Sequence, residues 1–144
     1  MNEVKLDSVE MLLKRQSNPL LTQPAPKQDE LDIILSAAMR VPDHGGLAPW
    51  HFTLVQSKGL EKLSQIFLQA SKDLYYDEAK HLKAAKMPSR APVIIVVSTN
   101  YKDHPKVPFQ EQLIATGRCV HALQMAAFSL GYGALWRTGE MSYS

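Results

Sequence analysis

The chain has 144 residues, 45% of them hydrophobic, and 16 basic against 14 acidic side chains leave a formal charge of only +2. That length favours a single domain, 1–144, with a real core, and the weak, scattered charge argues against a nucleic-acid partner. A lone cysteine, Cys119, excludes an intrachain disulfide and fits a buried thiol in a reducing, cytoplasmic setting.

The first residues, Met1 to Asp7, lack the apolar core of a signal peptide and the Arg-rich amphipathic pattern of a presequence. From Ser8 to Lys14, Val9, Leu12 and Leu13 are spaced for one helical face, and Asn18-Pro19 stops that helix with Arg15, Gln16 and Ser17 at its end. Residues 18–28 hold three prolines and read as an extended connection. A second helix carries Leu31, Ile34, Leu35 and Ala38 and ends near Arg40, because Pro42 denies a helical hydrogen bond and biases Val41 toward extended geometry.

The stretch from Arg40 to Trp50 is a polar elbow between two apolar elements. Gly45 and Gly46 permit positive φ and close backbone approach, so a ligand's phosphate or ring edge has room against the main chain. Arg40 equally suits the C-terminus of the preceding helix, in which case the glycines only turn the chain. His51 to Val55 reads as a short strand, and Gly59 to about Ala85 as a helix with Leu60, Leu63, Ile66 and Phe67 on its apolar stripe.

Pro92 to Val97 is a β-branched run expected of a central strand covered on both faces. Pro108 opens a long helix running to Gly131, interrupted in its most apolar part by Gln124 and Ser129 and too polar for a membrane span. It is apolar on most sides and needs more than one covering surface, which a dimer interface supplies. Gly133 to Trp136 suggests a third short strand before Arg137, Thr138 and Gly139. Three strands make a thin sheet for so apolar a helix, so the chain is expected to need a partner or a further C-terminal strand.

No nucleophilic or metal-binding pattern stands out. Cys119 and His121 are two residues apart and point in different directions on a helix. The five histidines lack zinc spacing, and Gly131 and Gly133 complete neither a dinucleotide fingerprint nor a phosphate loop. What remains is a set of anion donors at element ends: Arg15-Gln16-Ser17, Arg40 with His44, and Arg137-Thr138. Gathered by folding or dimerisation, they suit the phosphate and polar edge of an organic cofactor.

Several pieces, in order, resemble the flavin-dependent nitroreductase family, specifically its small YdjA-like branch. They are Lys14-Arg15-Gln16-Ser17, Met39-Arg40-Val41-Pro42-Asp43-His44, Pro49-Trp50-His51-Phe52, Arg90-Ala91-Pro92, Lys106-Val107-Pro108, Glu111-Gln112, Gln124-Met125-Ala126-Ala127, and Gly131-Tyr132-Gly133 leading to Trp136-Arg137-Thr138-Gly139. The resemblance implies an α+β fold with a central mixed β-sheet flanked by helices, in an interlocked homodimer with one FMN in each of two interface pockets. It implies that Arg15, Gln16 and Ser17 bind the FMN phosphate and ribityl region, with Trp136, Arg137 and Thr138 from the same subunit, while Arg40 and His44 reach the flavin from the other subunit. Ala126 matches a position associated with nicotinamide-nucleotide contact.

The implied activity is hydride transfer from NAD(P)H through FMN to a small-molecule electron acceptor such as a nitroaromatic or quinone, with no catalytic side chain and no metal. The alternative is a non-catalytic flavin-binding or structural dimer fragment. Gln16 stands where the family pattern has a second arginine, a change expected to cost about 1–3 kcal/mol of FMN affinity for a charge-assisted contact. Ala48 stands where a glutamine often precedes Pro-Trp. Family members continue to a further strand and a C-terminal segment, so the chain is expected to be C-terminally incomplete.

Overall fold

A computed structural model describes residues 7–143. The reading of Met1 to Leu6 as lacking a targeting signal lies outside the described residues. In chain order the elements are α1 (Ser8–Lys14), α2 (Gln28–Ala38), a 3-10 turn (His44–Gly46), β1 (Trp50–Gln56), α3 (Lys58–Asp73), α4 (Glu78–Lys86), a second 3-10 turn (Pro88–Arg90), β2 (Val93–Thr99), α5 (Phe109–Ser129) and a third 3-10 turn (Glu140–Ser142). The contacts group them into two compact units: residues 7–18, Pro26–Phe52 and Val97–Leu135 in the first, and Pro19–Ala25, Thr53–Val96 and 136–143 in the second.

The first unit is built on α5, against which α1 and α2 pack. The α2 stripe reads as its spacing predicts: Leu31, Ile34 and Ala38 are buried. α2 packs on α5, whose Ala115, Cys119 and Leu123 are also buried, and the small side chains among them suit close helix approach. α1 begins where Asp7 Oδ1 accepts the Glu10 N–H at 2.7 Å. At the start of α2 the Glu30 carboxylate accepts the Lys27 N–H at 2.8 Å and the Tyr132 hydroxyl at 2.7 Å. These bonds hold its carboxyl below the usual range, the backbone one most strongly.

The α2 helix stops at Ala38, two residues short of the expected end, and Met39 and Arg40 form its closing turn. α5 spans the predicted range, with Pro108 as its N-cap residue and Gly131 at φ +88° just beyond it. One side of α5 remains uncovered, leaving Leu113 54% and Ile114 53% exposed.

β1 and β2 form a two-stranded sheet. The Asn100 N–H, just after β2, donates to the Pro49 carbonyl, just before β1, at 2.6 Å, so the strands run antiparallel. Two sequence expectations fail here. No residue of β2 is buried and Val96 is 43% exposed, so β2 is not a strand covered on both faces. Gly133 to Trp136 is not a strand either, because no described strand lies alongside to pair its backbone; the Ala134 carbonyl instead accepts the Asn18 N–H at 3.0 Å.

The second unit packs α3 against α4. The single helix expected from Gly59 to Ala85 is broken between Asp73 and Glu78. Tyr75 takes φ +54°, and Asp77 caps the new helix by accepting the Lys80 N–H at 2.9 Å. A local side-chain bond to the backbone outcompetes helix continuation there. Ile66, expected on the apolar stripe, is 61% exposed, whereas Leu60, Leu63 and Phe67 are partly covered. Among the described residues, no helix is long and apolar enough to cross a membrane.

Candidate functional site

The elbow after α2 is held in one shape by contacts along its length. Pro42 follows the closing turn of α2, and its carbonyl accepts from Arg118 Nη1 of α5 at 3.0 Å. Asp43 Oδ2 accepts the Ala48 N–H at 2.6 Å, closing the loop on itself. The Leu47 carbonyl accepts from Lys102 Nζ. Gly45 and Gly46 have φ +74° and +62°, as the sequence suggests for a left-handed turn. At Gly45 a Cβ would stand 3.1 Å from Val107 Cγ2, so the glycine also permits close packing. At Gly46 the same position meets open space.

His44 lies at the exposed start of this turn, and its Nδ1 is 2.5 Å from Glu111 Oε2 in the first turn of α5. Lys102 and Asn100 belong to the segment between β2 and α5, which Gln112 fastens from beneath. That buried amide accepts the Lys102 N–H at 2.9 Å and donates to the Lys102 carbonyl at 2.8 Å. The elbow therefore rests on α5 and the loop before it. Buried Cys119 shares this environment; burial, helped by the nearby Asp43 charge, pushes its thiol up to about 11.

Arg15 closes α1, its N–H donating to the Met11 carbonyl at 3.1 Å, and is partly covered, while Gln16 and Ser17 are exposed. Arg40 is exposed in the closing turn of α2. Ala126 is partly covered on α5, and Gln124 two residues before it has a buried amide nitrogen without a hydrogen-bond partner among the described residues. In the second unit, Trp136, Arg137 and Thr138 are exposed on irregular backbone. A cleft of about 460 Å³ in that unit, lined by Leu21, Ser57, Leu60, Ala85 and Pro92 among others, includes none of the site residues expected from sequence.

Within the first unit, no hydrogen bond or ion pair among the described residues joins Arg15, Arg40 and His44 to one another. Nor does any described carboxylate pair with the guanidinium of Arg15, Arg40 or Arg137. Among the described residues Lys14 pairs with Glu10, and the Glu111 carboxylate meets the His44 ring. None of the five arginines, Arg90 and Arg118 included, has a carboxylate partner among the described residues. Arg15, Arg40 and Arg137 are donors suited to an anionic ligand such as a phosphate, singled out by the family pattern and not by this absence. Sequence reading gave no role to Asp43, Lys102, Glu111 or Arg118. The partners of Lys102, Glu111 and Arg118 are distant in the chain, so spacing carries no signal for them, whereas Asp43 bonds locally to Ala48; Asp43 and Glu111 both lie in fragments that resemble the family.

Residues 14–143 match the nitroreductase family, and the chain belongs to it. It is 39% identical over 139 residues to the Escherichia coli K12 protein named "Putative NAD(P)H nitroreductase YdjA", covering 96% of this chain and 76% of that one. The structure resembles a nitroreductase-like family protein from Bacillus cereus with a TM-score of 0.79 at 27% identity, covering 94% of this chain and 71% of the other. It also shares its fold with a nitroreductase with bound FMN from Desulfitobacterium hafniense, with a TM-score of 0.62 at 22% identity over 85% of this chain and 65% of that one. The nitroreductase-like α+β fold expected from the sequence is thereby established.

Proposed function

We propose that the protein is an FMN-dependent oxidoreductase that takes hydride from NAD(P)H and passes it, through the flavin, to a nitroaromatic, a quinone or a similar small acceptor. The observation that carries this reading is the match of residues 14–143 to the nitroreductase family, and it is supported by Arg15, Arg40 and Arg137, whose guanidinium groups have no carboxylate partner among the described residues. The relative is named an NAD(P)H nitroreductase, and a structure of the same fold holds FMN.

FMN supplies the redox chemistry when bound, accepting a hydride and releasing two electrons to the acceptor. The chain's own residues bind and orient. Arg15, with the Gln16 amide and the Ser17 hydroxyl, holds phosphate and ribityl oxygens; Trp136, Arg137 and Thr138 contribute from the same subunit. Arg40 and His44 serve the flavin of the neighbouring subunit, which makes the active form a homodimer. Ala126 offers shape and backbone to the nicotinamide nucleotide. No side-chain nucleophile is required, because positive charge and hydrogen-bond donors near the reduced ring stabilise the charge it gains.

The test is anaerobic reduction of the purified protein reconstituted with FMN. Loss of the yellow flavin colour on adding NADH or NADPH, and its return with a nitroaromatic or quinone, is the expected result. Flavin that binds but never bleaches would reduce the protein to a binding module, and failure to bind FMN at all would overturn the reading. Arg15→Ala is expected to weaken FMN binding roughly 10- to 100-fold, the loss of one charge-assisted hydrogen bond. Lys80→Ala is the control, since Lys80 lies over the Tyr76 ring in the charged helix α4. Equal retention by the two variants would remove Arg15 from the phosphate site.

A further inference from the structure

We infer that Glu111 is a positioning residue that fixes the ring of His44 for flavin binding, an inference that rests on the flavin reading above. His44 stands at the entry of the elbow turn, 67 residues from Glu111, and the two meet at 2.5 Å between Nδ1 and Oε2. A carboxylate only accepts, so Nδ1 carries the hydrogen of this bond. The other ring nitrogen, Nε2, then becomes the atom left to meet a ligand, and the ring cannot swing without breaking a charge-assisted bond.

Both ends of this bond are anchored. Glu111 sits in the first turn of α5, beside buried Gln112, whose amide is bonded to the Lys102 backbone. His44 is held through its turn, where Gly45 packs close to Val107 and the Arg118 guanidinium grips the Pro42 carbonyl. The side chains remain accessible, 58% exposed for His44 and 46% for Glu111, so the pair is not core structure. An exposed contact of this kind adds little to folding stability in water, and orientation is the service this geometry offers. Across a dimer, Glu111 would act on the neighbouring subunit's flavin only through His44.

A double-mutant cycle on the full chain tests this. Binding of FMN is followed by quenching of its fluorescence for wild type, Glu111→Ala, His44→Ala and the double variant. Glu111→Ala is expected to weaken FMN binding roughly 3- to 10-fold when His44 is present, and to change it little when His44 is alanine. Glu111→Gln, which retains an acceptor, is expected to recover most of the loss. A readout independent of flavin is the ¹⁵N spectrum of the imidazole in the apoprotein. Wild type should show the neutral ring protonated at Nδ1, and Glu111→Ala should lose that preference. An equal loss of FMN binding with and without His44 would overturn the inference, as would an unchanged ring tautomer. If wild type binds FMN and Arg15→Ala weakens it while Glu111→Ala does not, the positioning role falls and the flavin reading stands. If wild type binds no FMN, both fall.

Discussion

Replacing Gly45 by alanine should damage the elbow more than the same change one residue later. Both glycines have positive φ, +74° and +62°, a region that costs an L-residue about 1–2 kcal/mol. Only at Gly45 does the new methyl meet a neighbour, Val107 Cγ2 at 3.1 Å, and Val107 is itself only 3% exposed and has little freedom to withdraw. Pushing it aside adds about 1 kcal/mol, at the low end of overpacking penalties. Against both costs stands a gain of about 0.4–1 kcal/mol, because alanine has less freedom than glycine in the unfolded chain. Combining these terms gives a net loss of about 2 kcal/mol for Gly45→Ala and about 1 kcal/mol for Gly46→Ala. With a urea slope of about 2 kcal/mol per molar, the midpoints should fall by about 1 M and about 0.5 M respectively. Urea unfolding of the two variants beside wild type, followed by circular dichroism, measures the difference. A Gly45→Ala midpoint at or above that of Gly46→Ala would refute the steric part of this reasoning.

The core makes a simpler prediction. Leu31 is 2% exposed in α2 and Ile33, two residues on, is 54% exposed, so Leu31→Ala should cost about 2–5 kcal/mol in the same unfolding assay while Ile33→Ala costs far less. Similar losses at both positions would deny α2 its buried face. Cys119 should resist thiol reagents near pH 8 in the native protein and react once unfolded, since it is fully buried and its thiol is pushed up to about 11. Because the native value lies above the unfolded one, the protonated thiol's contribution to stability is complete below the ordinary thiol range and is lost as pH rises toward 11. The decline of the urea midpoint over that window should be shallower in Cys119→Ala, and parallel profiles would count against the shift.

Much of the fold was legible because it rests on local rules. The apolar spacing of α1 and of Leu31, Ile34 and Ala38 marks helices without reference to any partner, and prolines and glycines punctuate them. The break between α3 and α4 was missed because no glycine or proline announces it; Asp77 as a cap residue was the available signal. The strand expected at 133–136 failed for a different reason. Strand character is completed by a neighbour's hydrogen bonds, which a sequence window cannot supply.

The sequence by itself determined which residues carry charge and donors at element ends, Arg15, Arg40, His44 and Arg137, and the left-handed geometry that Gly45 and Gly46 accommodate. Ordered motifs across the chain were also enough to show its family. Only the tertiary structure decided that His44 is bonded to Glu111, that Arg118 and Lys102 hold the elbow's carbonyls, and that Val107 closes on Gly45. Helix periodicity and turn chemistry act within a few residues and are written in local order. A hydrogen bond spanning 67 residues depends on how α5 docks beside the elbow, and that is settled by packing the core as a whole.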